Sequence, residues 1–154
     1  RTSIFDYIGV PNHQRWMNGG KFDGGQLSQA EKELRDFYKR LLNFSIKSDA
    51  LMGKFQEIQT VNRNETVNYG HNVYSFVRWS ATEKLIIVSN LSPDYAENFD
   101  LKIPADVISN WKLKDGSYTV KDQLYGSSAI LKVENGVGVV KISLKPSESF
   151  IFKL

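Results

Sequence analysis

No cysteine occurs in the 154 residues, which excludes disulfides, thiolate nucleophiles and cysteine metal ligands but leaves the compartment open. Only two histidines are present, His13 and His71, far apart in sequence, so a zinc set would have to be assembled from distant acids. The calcium-loop pattern D-x-[DN]-x-[DN]-G is missing, as are the nucleophile elbow G-x-S-x-G and the phosphate loop G-x-x-x-x-G-K-[ST]. No metal and no cofactor are therefore expected. No apolar run approaches the ~20 residues that a membrane-spanning helix needs, and no leader pattern is visible at the start. The chain opens on Arg1 rather than Met, so an upstream segment is expected. Excess charge of one sign is also lacking. Twenty basic and 17 acidic residues are interspersed, as in Glu31-Lys32-Glu33 and Lys112-Leu113-Lys114-Asp115. No basic stripe with interleaved aromatics is evident, which argues against a nucleic-acid partner.

What is present is a globular composition, 41% apolar and 12% aromatic, in a length that suits one domain with a real core. Three regions follow one another. Residues 1–26 are glycine-rich and read as an irregular loop, unusually long for a compact domain. From Leu27 the sequence LSQAEKELRDFYKRLLNFSIKSDAL holds one long helix, expected over 28–47. Ser28 and Glu31 form an S-x-x-E capping box, and Leu34, Phe37, Tyr38, Leu41 and Leu42 make a single apolar stripe. Glu31 with Arg35 and Asp36 with Arg40 add acid-before-base pairs four apart.

From Lys54 onward the period changes from 3.6 to 2 and turn residues recur. Strands are predicted near 54–61, 73–79, 84–90, 97–103, 117–121, 129–134, 137–144 and 149–154, with a helical turn over Asp106 to Trp111. Phe99, Leu101 and Ile103 alternate with Asp100 and Lys102, as in a half-buried strand. Leu85 to Val88 are apolar without a break, as in a central strand covered on both faces. Asn135-Gly136 between two apolar runs is a two-residue hairpin signal. The fold class expected is mainly β: an antiparallel Greek-key β-sandwich of about eight strands, preceded by an irregular loop and one long amphipathic α-helix. Leu34, Phe37, Leu41, Leu85, Ile87, Val140, Ile142 and Phe152 are the expected core. Trp79 should point inward with Val73, Ser75 and Val77, and Tyr95 and Tyr125, in turns, are the better exposed aromatics.

The run from Leu27 to Leu42 resembles the last helix of the catalytic barrel in the α-amylase family of glycoside hydrolases (family 13). Arg1-Thr2-Ser3-Ile4-Phe5-Asp6-Tyr7 and Trp16-Met17-Asn18 resemble the loop before that helix. Tyr74 to Arg78 and Ile87 to Ser92 resemble the first hairpin of the family's C-terminal sandwich. Asp122-Gln123-Leu124-Tyr125-Gly126 is similar to its D-x-L-x-G turn, and Phe150 to Leu154 to its closing strand. The resemblance implies that residues 1–52 are the last loop and helix of a (β/α)8 barrel and residues 53–154 an all-β sandwich domain. It implies that the partner is the missing catalytic barrel, that the parent acts on α-glucans such as starch and maltooligosaccharides, and that a periplasmic or cell-surface location fits the parent.

Retaining glycosidases need two carboxylates about 5 Å apart. In the family these acids, with a third, lie on barrel strands upstream of the part resembled here, so no catalytic residue is expected in this chain. Phe5, Asp6, Tyr7 and Trp16 are the substrate-binding candidates, because the loop they resemble borders a barrel's active-site mouth. They either shape a sugar subsite or pack a long loop. Another functional class also stands: a carbohydrate-binding β-sandwich module that acts alone. The helix separates the two, since a free-standing sandwich has no need of it. Asn43, Asn64 and Asn90 each begin an N-x-[ST] glycosylation pattern.

Overall fold

The computed structural model describes residues 9–154. Two compact units are present, one up to Leu42 and the other from Asn43 on. In the first, helix α1 spans Pro11–Met17, with Pro11 at its opening position. A proline there loses nothing, because the first amides of a helix have no partner in any case, and its fixed φ suits the helix. The segment expected to be irregular thus contains a helix of about two turns, closed by Asn18 in the left-handed conformation.

Helix α2 spans Gln29–Lys47. Its capping box is formed: Ser28 N donates to Glu31 Oε2 at 2.8 Å, and Glu31 N donates to Ser28 Oγ at 3.3 Å. The other oxygen of Glu31 pairs with Arg15 of α1. Arg35, expected to pair with Glu31, instead places its guanidinium 5.8 Å from the centre of the Trp16 ring. Together Arg15 and the Ser28 amide hold the Glu31 carboxyl down to about 2. The expectation that Leu34, Phe37 and Leu41 are core is corrected. No residue of α2 is buried; Leu34 is 58% exposed, and Phe37 and Leu41 are only partly covered. Tyr38, Leu42 and Ile46 are exposed as well, so the apolar stripe of α2 faces solvent in this chain.

From Lys54 the chain forms eight antiparallel strands: β1 (Lys54–Glu57), β2 (Val73–Trp79), β3 (Lys84–Asn90), β4 (Glu97–Ile103), β5 (Gly116–Asp122), β6 (Ser128–Glu134), β7 (Val137–Leu144) and β8 (Ser149–Lys153). They make one curled sheet in the order β1-β2-β3-β8-β5-β6-β7-β4. Two halves, β1-β2-β3-β8 and β5-β6-β7-β4, are joined along a seam of only two residue pairs, Lys121 with Lys153 and Asp122 with Phe152. Side chains from both halves meet in one core: Val73, Val77, Ile86 and Val88 from one, Leu101, Leu131, Val140 and Ile142 from the other. That is a sandwich made by folding a single sheet over. Each such buried side chain contributes ~1.5–3 kcal/mol relative to exposure.

The alternation of apolar residues is realised strand by strand. Val73, Ser75 and Val77 are buried while Tyr74 and Phe76 lie on the other face. Leu85, Ile86, Ile87 and Val88 are all buried, so β3 is covered on both sides as its composition demands. The β6–β7 hairpin turns at Asn135 and Gly136, both with positive φ (52° and 75°), the geometry that matches strand twist. Asp115 clasps this turn by accepting both backbone amides, at 3.0 and 3.1 Å.

Two short helices complete the unit. Helix α4 (Ala105–Trp111) follows Pro104 as expected and buries Val107, Ile108 and Trp111. Helix α3 (Gln59–Glu65) replaces the second half of the strand expected over 54–61. The reason is local: Glu57 accepts the Thr60 amide at 2.5 Å and so starts a helical turn. The buried Asn62 then faces edge strand β4. Its amide nitrogen donates to the carbonyls of Ile58 and Lys102, and its oxygen accepts the Lys102 amide at 2.8 Å. One side-chain amide thus takes the place of a neighbouring strand.

Candidate functional site

Among the described residues no group of three or more His, Asp or Glu side chains could hold a metal ion. Of the substrate-binding candidates, Phe5, Asp6 and Tyr7 lie outside the described residues. Trp16 is half-buried, its ring tilted against Phe22 at 5.7 Å and beneath the Arg35 guanidinium, and its carbonyl accepts the Gly24 amide at 2.9 Å. Gly24 itself has φ +70°, and an added Cβ would stand 3.1 Å from Leu27 and 3.6 Å from Trp16. The loop therefore closes tightly around Trp16.

The sandwich aromatics divide as the alternation predicts. Trp111 is buried and meets the partly buried Trp79 edge-on at 6.4 Å. Tyr95 is 71% exposed and Tyr125 50%. Three further rings form an outward row on the antiparallel β1–β2 pair that alternation hints at but pairing register reveals. Phe55 and Phe76 are 5.5 Å apart at 43°, Tyr74 and Phe76 5.5 Å apart at 42°. Phe55 stands directly opposite Arg78, whose guanidinium lies 5.9 Å from the ring centre. Phe55 and Tyr74 are exposed. The rings are tilted rather than coplanar, so they do not offer the flat platform on which a sugar chain stacks.

Beside this row the chain leaving α2 is fastened to the sandwich. Glu83 is buried. It accepts Ser48 Oγ at 2.6 Å and the Ala50 amide at 2.9 Å, and pairs with Lys153 Nζ at 2.7 Å. Burial pushes the Glu83 carboxyl up, but the donors from Lys153, Ser48 and Ala50 prevail, and its pKa lies below the ordinary glutamate value. Nothing in the Thr82-Glu83-Lys84 turn marked that acid as buried; its only signal is a position next to an unbroken apolar strand.

The Asp122 turn is a second buried anchor. Its carboxylate accepts the amides of Leu124, Tyr125 and Ile151 at 3.2, 2.6 and 3.0 Å. It thereby holds together the seam where the sheet folds over. A third, Asn90, donates to the carbonyls of Tyr95 and Lys145 and accepts the Ser92 amide. Asn90 is buried, so this one of the three glycosylation patterns is occupied by structure.

Residues 64–154 match the family model for the alpha amylase C-terminal all-beta domain. The chain belongs to this family. Comparison with curated proteins gives no match. Among solved structures, the amylase C-terminal domain described here is similar to part of AmyP bound to maltotriose (18% identity, TM-score 0.57, 84% of this chain and 22% of that one). It is also similar to part of an Anoxybacillus alpha-amylase (17%, 0.54, 88% and 25%). A third is the maltogenic alpha-amylase AmyB of Thermotoga neapolitana (14%, 0.56, 83% and 27%). At these identities the likeness is one of fold. The chain spans about a quarter of the length of each of these structures.

Proposed function

We propose that this chain is the non-catalytic C-terminal region of a retaining α-amylase-type glycoside hydrolase that acts on α-glucans, and that its work is to cover and stabilise the catalytic barrel. Residues 1–52 are the last loop and helix of that barrel; residues 53–154 are the sandwich domain. Phe5, Asp6, Tyr7 and Trp16 belong to the segment 1–26 that borders the sugar-binding cleft. The observation that carries the reading is helix α2. Upstream of the amylase C-terminal domain stands a well-capped helix whose Leu34, Tyr38, Leu42 and Ile46 are all exposed. A stripe of that size is the surface of an interface. The similar structures, an alpha-amylase, a maltogenic amylase and a maltotriose complex, support an α-glucan as the substrate class.

Reading the gene upstream of Arg1 tests the proposal. It should encode a (β/α)8 barrel carrying the three family carboxylates. The pure 154-residue chain should release no reducing sugar from starch or maltooligosaccharides, whereas the parent should. A gene that encodes only this region, or glycosidase activity in the pure chain freed of contaminating amylase, overturns it.

A further inference from the structure

Arg78 holds a cation in an unfinished environment. It is half-buried on the outward face of β2, its Nε is buried with no hydrogen-bond partner, and its one hydrogen bond reaches the Gly53 carbonyl at 3.3 Å. No carboxylate pairs with it among the described residues. A half-buried guanidinium without an anion is costly to keep, and its fork geometry suits a bidentate carboxylate.

Its surroundings tell what sort of surface would complete it. Pairing register sets Arg78 beside Phe55 and Leu85, then Leu85 beside Lys153, and Lys153 beside Lys121. Of the three cations in this row, only Lys153 has a carboxylate, Glu83. The next row along the same face holds Glu57, Phe76, Ile87 and Ile151, and the one after it Tyr74, Ser89 and Ser149; Leu85, Ile87 and Ile151 are buried, so the open part of the face lies on β1 and β2. The open part is therefore aromatic, with a basic row along one side and a single acid, Glu57, whose carboxylate is bonded to the Thr60 amide. The chain arriving from α2 reaches the sandwich here too, since Ser48 and Ala50 are bonded to the same Glu83 that pairs with Lys153.

We propose that this face is where the sandwich docks on the upstream catalytic barrel of its own polypeptide, with Arg78 as the anchor for a barrel carboxylate and Phe55, Tyr74 and Phe76 as the apolar contact around it. The assignment rests on the proposed function. Charge complementarity selects the occupant's chemistry: an acid set among apolar groups. Entry of the α2 connection on this face selects the barrel, because a covalently attached body at short reach has a high effective concentration there. A neutral glucan would leave the guanidinium without its anion.

Arginine labelling with phenylglyoxal, read by mass spectrometry, tests this in the 154-residue chain and in the full parent polypeptide. Arg78 should react roughly tenfold more slowly in the parent, with slowed amide exchange over 54–57 and 73–79. Arg78→Glu should lower the parent's Tm by about 2 °C or more and leave that of the 154-residue chain unchanged, while Arg78→Lys should act on the parent more mildly. Equal labelling of Arg78 in a parent that does contain a barrel overturns the docking assignment alone. Absence of any barrel upstream overturns the proposed function and the assignment with it. Two other outcomes also overturn the assignment: protection of Tyr74 and Arg78 in the 154-residue chain by maltoheptaose, and a dimer of that chain abolished by Phe55→Lys.

Discussion

Ser48 and Glu83, 35 positions apart, share a buried hydrogen bond of 2.6 Å that fastens the end of the long helix to the turn before the central strand. Three donors converge on that one carboxylate, so it fixes where the chain enters the sandwich. Glu83→Ala leaves the Ser48 hydroxyl and the Ala50 amide without an acceptor and should cost about 2–3 kcal/mol in urea denaturation; Glu83→Gln should cost less. The folded-state pKa of Glu83 is depressed, so its contribution is present above the unfolded glutamate value of 4.5 and is lost as pH falls through the lower folded value. Stability of the wild type relative to Glu83→Gln should therefore shrink on acidification below about pH 4.5 and stay constant above it. A difference that is flat down to the acid transition would refute this role.

Asn62 makes the bonds a neighbouring strand would make to Lys102. Asn62→Ala should cost about 1–3 kcal/mol and speed amide exchange at Lys102, because the freed edge of β4 returns to solvent. Asn62→Asp, which cannot donate to the Lys102 carbonyl, should recover only part of the loss. Unchanged exchange at Lys102 in Asn62→Ala would show that the helix covers this edge without the amide.

Phe152 lies in the core on the last strand, 5.1 Å from Phe150. Truncating it to Ala should cost ~3–5 kcal/mol, the range for a large aromatic removed from a packed interior. Unaltered thermal melting of Phe152→Ala would mean that the closing strand adds little to the sandwich.

The exposed stripe of α2 should make the 154-residue chain associate with itself at high concentration. Light scattering should show a rise in mean mass with concentration, and Leu42→Glu with Ile46→Lys should reduce it. A chain that stays monomeric at all concentrations would argue that α2 does not carry an interface.

Much of the sandwich was legible because strands half-covered by a core must alternate. The bounds expected for β2, β3, β4 and β7 are those observed, and the unbroken Leu85–Val88 run correctly marked a strand covered on both faces. The strand expected to continue to residue 61 failed where a side chain intervened: Glu57 captures the Thr60 amide, a contact no periodicity encodes. The burial expected for Leu34 failed for another reason. The stripe asks for a partner, but a pattern along one helix cannot say whether that partner lies in the same stretch of sequence. Least legible were Glu83, Asn62 and Arg78. Polar residues beside turns and strand edges ordinarily face water, and only strand pairing reveals which are enclosed. The loop candidates fared unevenly, with Trp16 found locked among Phe22, Arg35 and Gly24, and Phe5, Asp6 and Tyr7 outside the described residues.

The position of β8 bears on how such a domain is made. Strand β8 pairs with β3 along five residues and meets β5 at the seam, so the middle of the sheet is the last of its eight strands to be synthesised. Until then β3 presents an open, apolar edge that no earlier strand can fill, and non-local closure of this kind is slow. Losing β8 would strip the sheet of its centre rather than trim its margin. A nonsense codon just ahead of Ser149 would thus be as damaging as one far upstream.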